Sequence, residues 1–126
     1  MAHTPEEWFI QAEYDFQTAQ AMVSSGHGIY VVFMAHLAIE KALKGVYHKK
    51  FNALPPRTHS LLAFLRMNEL TPPPAVGEFI GDLDQASVAT RYPEELVKLQ
   101  AAYPRPVVEK ILLQTKETLV WARKMF

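Results

Sequence analysis

The chain of 126 residues contains no cysteine, which excludes a disulfide framework, a thiolate metal site and thiol catalysis. It also lacks the Gly-x-Ser-x-Gly and Gly-x-x-x-x-Gly-Lys-Ser/Thr patterns, so a hydrolase nucleophile elbow and a P-loop have no support. The first residues show neither the basic region nor the apolar core of a signal peptide. His36 and Glu40 interrupt the longest apolar run before it reaches the roughly 18 residues of a membrane span. We therefore predict a cytoplasmic protein that needs no membrane, cofactor or metal ion.

The composition is that of an ordinary folded domain, with 49% apolar and 21% charged residues. This length is sufficient for one hydrophobic core, so we predict a single domain over residues 1–126. The net charge is zero, but residues 1–40 carry only acidic charges and residues 41–68 carry only basic ones. This segregation predicts a basic patch centred on residues 41–66, unless neighbouring helices cancel these charges.

The first half of the chain predicts two long helices. Thr4 is a good N-cap residue and forms a capping box with Glu7, while Gly26 or Gly28 can end the first helix. The second segment, residues 29–50, is apolar on nearly all sides. That pattern indicates a central and mostly buried helix.

The second half predicts shorter elements and one more long helix. A third helix opens around residues 58–60 and is closed by the triple proline within 71–74. A weaker fourth helix spans about 75–87, and residues 90–106 contain three prolines and predict a loop with room for a helical turn. The last helix covers about 106–125. No segment alternates with the period of a strand, so the predicted fold is all-α, an up-and-down bundle of four to five helices.

Polar residues on the second helix form the first candidate site. A rotation of 100° per residue places His36, Glu40, Lys44 and Tyr47 in one sector. Glu40 and Lys44 have the spacing of a helical ion pair, which on a free surface would only stabilise the helix slightly. Large apolar residues flank them, however, and such a mixture is more typical of an interface or a pocket wall. We therefore predict that this sector lines a cleft or a dimer seam.

The stretch 57–60, Arg-Thr-His-Ser, forms the second candidate site at the start of the predicted third helix. Free N–H groups and the helix dipole favour an anion there. These N–H groups would form a phosphate site together with the side chains of Arg57, His59, Lys49 and Lys50. In the alternative, a hydroxyl group of this stretch only caps the helix and the imidazole packs beneath it. A metal site that combines this imidazole with the second helix is a further alternative.

The third candidate site is the pair Arg91 and Tyr92, which precedes Pro93 and is therefore expected to be extended. Such a pair could bind a phosphate through the guanidinium and stack a base on the ring. An arginine in a loop can equally tie that loop to helix carbonyl groups.

Four sequence stretches, in order, resemble the HEPN (higher eukaryote and prokaryote nucleotide-binding) domain family. They are AEYDFQTAQAM, YVVFMAHLAIEKALKGVY, THSL and TRYP, and the resemblance covers about residues 5–125. It implies a helical bundle that is usually a homodimer. In many prokaryotes such a protein is encoded beside a minimal nucleotidyltransferase, as a toxin–antitoxin-like pair.

Active members of this family are metal-independent ribonucleases, whose signature is an arginine followed, after four to six residues, by a histidine. After Arg91 the corresponding positions hold Leu96, Val97 and Lys98, and no other arginine has a histidine at this spacing. The resemblance therefore implies a non-catalytic member, because no histidine stands in register to transfer a proton.

On this interpretation the chain binds a nucleotide, a minimal nucleotidyltransferase, or both. The phosphate ligands would be Lys44, Arg57, His59 and Arg91. Tyr47 or Tyr92 would stack on the base. Two alternatives stay open: an RNA-cleaving toxin that uses Arg91 with His59, and a purely structural homodimer.

Overall fold

The computed structural model describes residues 4–89, 92 and 96–126. This part of the chain contains six helices and no strand, which confirms the all-α prediction. The helices are α1 (Pro5–Ser25), α2 (Gly28–Phe51), α3 (Leu61–Met67), α4 (Pro74–Ala89), α5 (Leu96–Ala102) and α6 (Arg105–Met125). The helix that the sequence did not predict is α5, which lies in a segment expected to be a loop. Its seven residues contain no proline or glycine and are mostly good helix formers.

The two ends of α1 are formed as the sequence predicts. The Thr4 hydroxyl accepts the Glu7 N–H at 3.3 Å, and the Glu7 carboxylate accepts the Thr4 N–H at 3.2 Å, which completes the capping box. The helix ends at Gly26, whose φ of 79° lies in the left-handed region. Glycine adopts this conformation without steric penalty, so the chain turns there into α2.

Helix α2 is the centre of the bundle, and twelve of its 24 residues are buried. Its small residues let other helices approach closely. A Cβ atom at Gly45 would lie 2.9 Å from the Phe9 ring of α1, so α1 depends on a glycine there. Asp15 and Lys41 add an ion pair between α1 and α2 at 2.9 Å.

The remaining helices cover the other sides of α2. Helix α4 buries Phe79, Ile80 and Leu83, and α6 buries Val108 and Leu119. Helix α3 packs Leu61, Phe64 and Leu65 into the same core. In the ranges that the structure describes, no helix combines the length and apolar character needed to cross a membrane.

Candidate functional site

Glu40, in the middle of α2, is the centre of the candidate site, and only 2% of its surface is exposed. Lys44 Nζ lies 3.0 Å from its Oε2 atom, which confirms the helical ion pair. His59 Nδ1 lies 3.1 Å from its Oε1 atom. Because a carboxylate oxygen accepts, we assign the proton of this contact to Nδ1 of His59. These partners satisfy a carboxylate that would be costly to bury alone.

His36 extends the network one turn towards the start of α2. It is 3% exposed, and its Nε2 atom lies 3.0 Å from Oδ1 of Asp84 on α4. Its Nδ1 atom lies 3.9 Å from Oε1 of Glu40. The network therefore joins α4, α2 and the segment before α3 in one continuous set of polar side chains.

The carboxylate of Asp84, a residue of α4, binds the N-terminus of α3. Its carboxylate accepts the Leu61 N–H at 3.0 Å, the Leu62 N–H at 3.4 Å and the Ser60 hydroxyl at 3.2 Å. Burial by itself raises the pKa of Asp84, but the hydrogen bonds from Leu61, His36 and Leu62 outweigh it and lower the pKa below its ordinary value. The anion at this helix start is thus a carboxylate of the chain itself.

The capping alternative at the start of α3 is therefore the one that the structure shows. Ser60 is the N-cap residue, and its hydroxyl accepts the Ala63 N–H at 3.2 Å. Because Asp84 takes the Leu61 and Leu62 N–H groups, a phosphate could bind here only through side chains. His59 does not pack beneath the helix, since 68% of its side chain is exposed.

The predicted phosphate ligands differ in how accessible they are. Arg57 is exposed and has no hydrogen-bond or ion-pair partner in the described part of the chain. Lys44 is 14% exposed, and its Nζ atom lies 5.7 Å from the centre of the Trp8 ring and 5.9 Å from that of Phe64. The freely presented groups are therefore Arg57 and the outer edge of the His59 ring.

The residues predicted to line a cleft or dimer seam lie at two depths. His36 and Glu40 are covered by the chain's own α4 and by the segment before α3. Tyr47 is only half-buried, and its ring centre lies 4.7 Å from that of Phe51 and 6.4 Å from that of Phe64. A seam along α2 would therefore contact the ring of Tyr47 rather than the two buried residues, and the seam itself stays a prediction.

The Arg91–Tyr92 pair is described only in part. Arg91 lies outside the described residues, and Tyr92 is more than half exposed. No hydrogen bond or ring contact joins Tyr92 to Glu40 or His59 within the ranges that the structure describes. A role of the pair in phosphate or base binding remains a prediction.

The predicted basic patch is divided between several contacts. Lys50 donates to the Asn68 carbonyl at 2.7 Å, at the far end of α3 from His59. Lys49 lies over the Phe126 ring at 4.3 Å, and Lys41 is paired with α1. Lys49 and Lys50 therefore do not join His59 in one cluster.

The metal alternative required His36, Glu40 and His59 to come together, and the structure does bring them together. One ring nitrogen of each histidine, however, is already directed at a carboxylate oxygen of the network. In the part of the chain that the structure describes, no group of three or more His, Cys, Asp or Glu side chains could hold a metal ion.

Asp84 was not predicted as a site residue, although the sequence contains a local signal for it. Ile80, Leu83 and Ser87 are buried on the inner face of α4, and Asp84 follows Ile80 by four residues on that face. A carboxylate on an otherwise apolar helix face indicates a buried partner. The partner itself, a helix start more than twenty residues earlier, cannot be identified from this spacing.

Comparison with known proteins supplies a family and two similar structures. The family model of the HEPN domain matches residues 5–125. The crystal structure of TT1696 from Thermus thermophilus is 25% identical, with a TM-score of 0.81, over 97% of this chain and 98% of that chain. The crystal structure of ST0689, an archaeal HEPN homologue, is 22% identical, with a TM-score of 0.74, over 98% of each chain. No curated protein matches.

Proposed function

Because the chain belongs to the HEPN domain family, we propose that it is a non-catalytic module that binds the phosphate groups of a nucleotide. The observation that carries this proposal is the buried Glu40, which holds His59 in a fixed position while most of that imidazole faces solvent. The exposed Arg57 stands two residues away and has no partner within the described ranges. The Arg57 guanidinium offers charge-assisted hydrogen bonds to phosphate oxygens, and the Nε2 atom of His59 donates a further one when the ring is in its doubly protonated form.

Calorimetric titration with ATP, with and without magnesium, tests this proposal. We expect saturable binding to the wild-type protein and about tenfold weaker binding by Arg57→Glu, because one guanidinium–phosphate contact becomes repulsive. Arg66→Glu is the matched control, since Arg66 is an exposed arginine at the other end of α3. Lys44→Glu is a poorer probe, because it would place a second carboxylate beside the buried Glu40.

Two results would contradict the nucleotide proposal. One is the absence of binding heat with the wild-type protein. The other is equal affinity of Arg57→Glu and the wild type, which would exclude this site even if ATP binds elsewhere. Either result would favour a purely structural role for the network.

The proposal extends to a protein partner, a minimal nucleotidyltransferase in a toxin–antitoxin-like pair. Family membership supports this part. Co-expression with a nucleotidyltransferase encoded beside this chain, followed by size-exclusion chromatography, would test it. A stable complex is expected, and separate elution of the two proteins at micromolar concentration would contradict it.

One observation favours a second candidate function, RNA cleavage. The Glu40–His59 contact is the arrangement in which a carboxylate orients an imidazole for proton transfer. Cleavage of a labelled RNA in the presence of EDTA, abolished by His59→Ala, would support this function. Intact RNA after long incubation would leave the binding function as the sole proposal.

A further inference from the structure

Helices α4 and α6 enclose an open cavity of about 440 Å³. Its floor is apolar, because Val32 of α2 and Phe79 and Leu83 of α4 line it and are nearly fully buried. Ile111 of α6 adds a half-buried apolar side chain to the opposite wall. A cavity of this size and lining can take up the apolar part of a small organic molecule.

Tyr103, just before the start of α6, is a fixed polar residue of this cavity. A Cβ atom at Gly28 would lie 2.5 Å from the Tyr103 carbonyl oxygen, so the start of α2 packs directly against this part of the backbone. Burial raises the pKa of the Tyr103 phenol, which therefore stays neutral. Within the described residues the phenol has no hydrogen-bond partner, so its oxygen can accept a hydrogen bond from a ligand.

The cavity is charged at its rim, and its α4 wall is acidic. Glu78 and Asp82 are exposed, line the cavity and lie four residues apart, on one face of α4. Like charges at this spacing repel each other. Helix α4 carries a third acid, Asp84, and no lysine, arginine or histidine. The opposite wall contributes a single cation, Lys110 of α6. The lining therefore carries more negative than positive charge.

We propose that this cavity binds an organic amine, a molecule in which an apolar ring carries one protonated amino group. The ring would lie on the apolar floor and displace water from it. The ammonium group would lie at the rim between Glu78 and Asp82, where one cation relieves the repulsion between two carboxylates. The Tyr103 oxygen offers a further acceptor in the same cavity.

The wall charges favour an amine over an organic acid with the same ring. In the part of the chain that the structure describes, neither Glu78 nor Asp82 forms an ion pair, so both are available to a ligand. An anionic ligand would be repelled by these two carboxylates and could pair only with Lys110. Charge complementarity therefore determines the ligand class, while the apolar floor contributes equally to both molecules.

This site is separate from the one proposed for a nucleotide. The residues that line the cavity include neither Arg57 nor His59, and an acidic wall would repel a phosphate group. The amine proposal therefore does not depend on nucleotide binding, and the two proposals fail in different experiments.

Calorimetric titration with tryptamine and with indole-3-propionate tests the proposal. The two molecules share an indole ring and a side chain of the same length, but at neutral pH the first is a cation and the second an anion. We expect saturable binding of tryptamine that is about tenfold or more tighter than that of indole-3-propionate. Added salt should weaken the binding of tryptamine, because the ion contacts at the rim are open to solvent.

Neutral variants of the rim identify the groups that bind the ammonium. Glu78→Gln combined with Asp82→Asn should weaken tryptamine binding about tenfold, because two ion contacts are lost. Lys110→Gln should strengthen it about twofold, because the opposing cation is removed. Glu117→Gln is the matched control, since Glu117 is an exposed acid on α6 that does not line the cavity.

A cavity-filling variant tests where the ring binds. Ala86 is half-buried in the lining, and Ala86→Trp should abolish detectable binding of tryptamine because the new ring takes up the space. Gln85→Trp is the matched control, at the neighbouring exposed position outside the lining. Circular dichroism confirms that each variant is folded, and the neutral rim variant changes only exposed residues.

Three results would each overturn the amine proposal. The first is the absence of saturable tryptamine binding to the wild-type protein. The second is equal affinity for tryptamine and indole-3-propionate. The third is unchanged tryptamine binding by the neutral rim variant or by a folded Ala86→Trp variant, which would place the ligand elsewhere on the molecule.

Discussion

Asp15 and Asp84 are both largely buried carboxylates, but they differ in what they hold together. Asp15 pairs with one side chain, Lys41 of the neighbouring helix, at 2.9 Å. Asp84 accepts hydrogen bonds from two backbone N–H groups, one hydroxyl and one imidazole, which belong to α2, α3 and the residue before α3. A side-chain pair can be replaced as a unit, whereas backbone N–H groups always need an acceptor. Asp84 should therefore matter more to the fold.

The largest expected effect is that of Asp84→Ala. This change leaves the N–H groups at the start of α3 and the imidazole of His36 without their acceptor. We expect the free energy of unfolding to fall by about 3 kcal/mol, as measured by urea denaturation. Asp82→Ala, at an exposed position on the same helix, should change it by less than about 0.5 kcal/mol. Equal effects of the two changes would refute the special role of Asp84.

The pH dependence of the same variant sharpens the comparison. The pKa of Asp84 is lowered in the folded state from an ordinary value of 3.8. Its stabilising contribution is thus complete above that value and is lost as the pH falls through the lower folded pKa. The difference in unfolding free energy between wild type and Asp84→Ala should therefore shrink below about pH 4. A difference that stays constant down to acid-induced unfolding would contradict this account.

Ser60→Ala should have a smaller effect. It removes the hydroxyl that accepts the Ala63 N–H and donates to Asp84. Loss of an N-cap hydroxyl costs about 1 kcal/mol of unfolding free energy. Ser60→Thr keeps the hydroxyl and should retain most of the wild-type stability in the same thermal or urea unfolding experiment. If Thr destabilised as much as Ala, the cap would not be the cause.

The smallest effect is expected for the double change Asp15→Leu with Lys41→Met. Replacing both members of a buried ion pair by apolar residues often leaves stability nearly unchanged, so we expect a shift within about 1 kcal/mol. The corresponding change at the other site, Asp84→Leu with His36→Leu, should remain clearly destabilising, because the backbone N–H groups of α3 stay unpaired. Similar unfolding free energies for the two double variants would contradict the proposed difference between Asp15 and Asp84.

Local patterns predicted much of the fold. The capping box of Thr4 and Glu7 and the all-round apolar character of α2 are encoded within a few turns of helix, and both predictions are confirmed. The Glu40–Lys44 ion pair could also be predicted from the sequence, because its members lie four residues apart on one helix. Helix α5 was not predicted, since the prolines that flank it in the sequence, Pro93 and Pro104, outweighed the helix formers between them.

The rest of the candidate site depends on contacts between distant parts of the chain. Asp84 contacts the start of α3, which lies more than twenty residues earlier in the sequence, and Asp15 of α1 contacts Lys41 of α2. No spacing rule links such residues, so the sequence identified neither partner. His59 was identified as a site residue, but its pairing with Glu40 required the fold. The roles of Arg57, Arg91, Tyr47 and Tyr92 in binding stay predictions.

The anchoring of α3 has a consequence for how the molecule opens. At seven residues, α3 is shorter than helices that are stable alone in water. Asp84 of α4 holds its first turn, while Lys50 of α2 binds the Asn68 carbonyl just after its last. The amide protons of α3 should therefore exchange with solvent whenever α4 detaches, even while α1 and α2 remain paired. A molecule that binds at His59 would slow this exchange. Its binding could therefore be detected from the amide exchange rates of α3, even if it does not contact that helix.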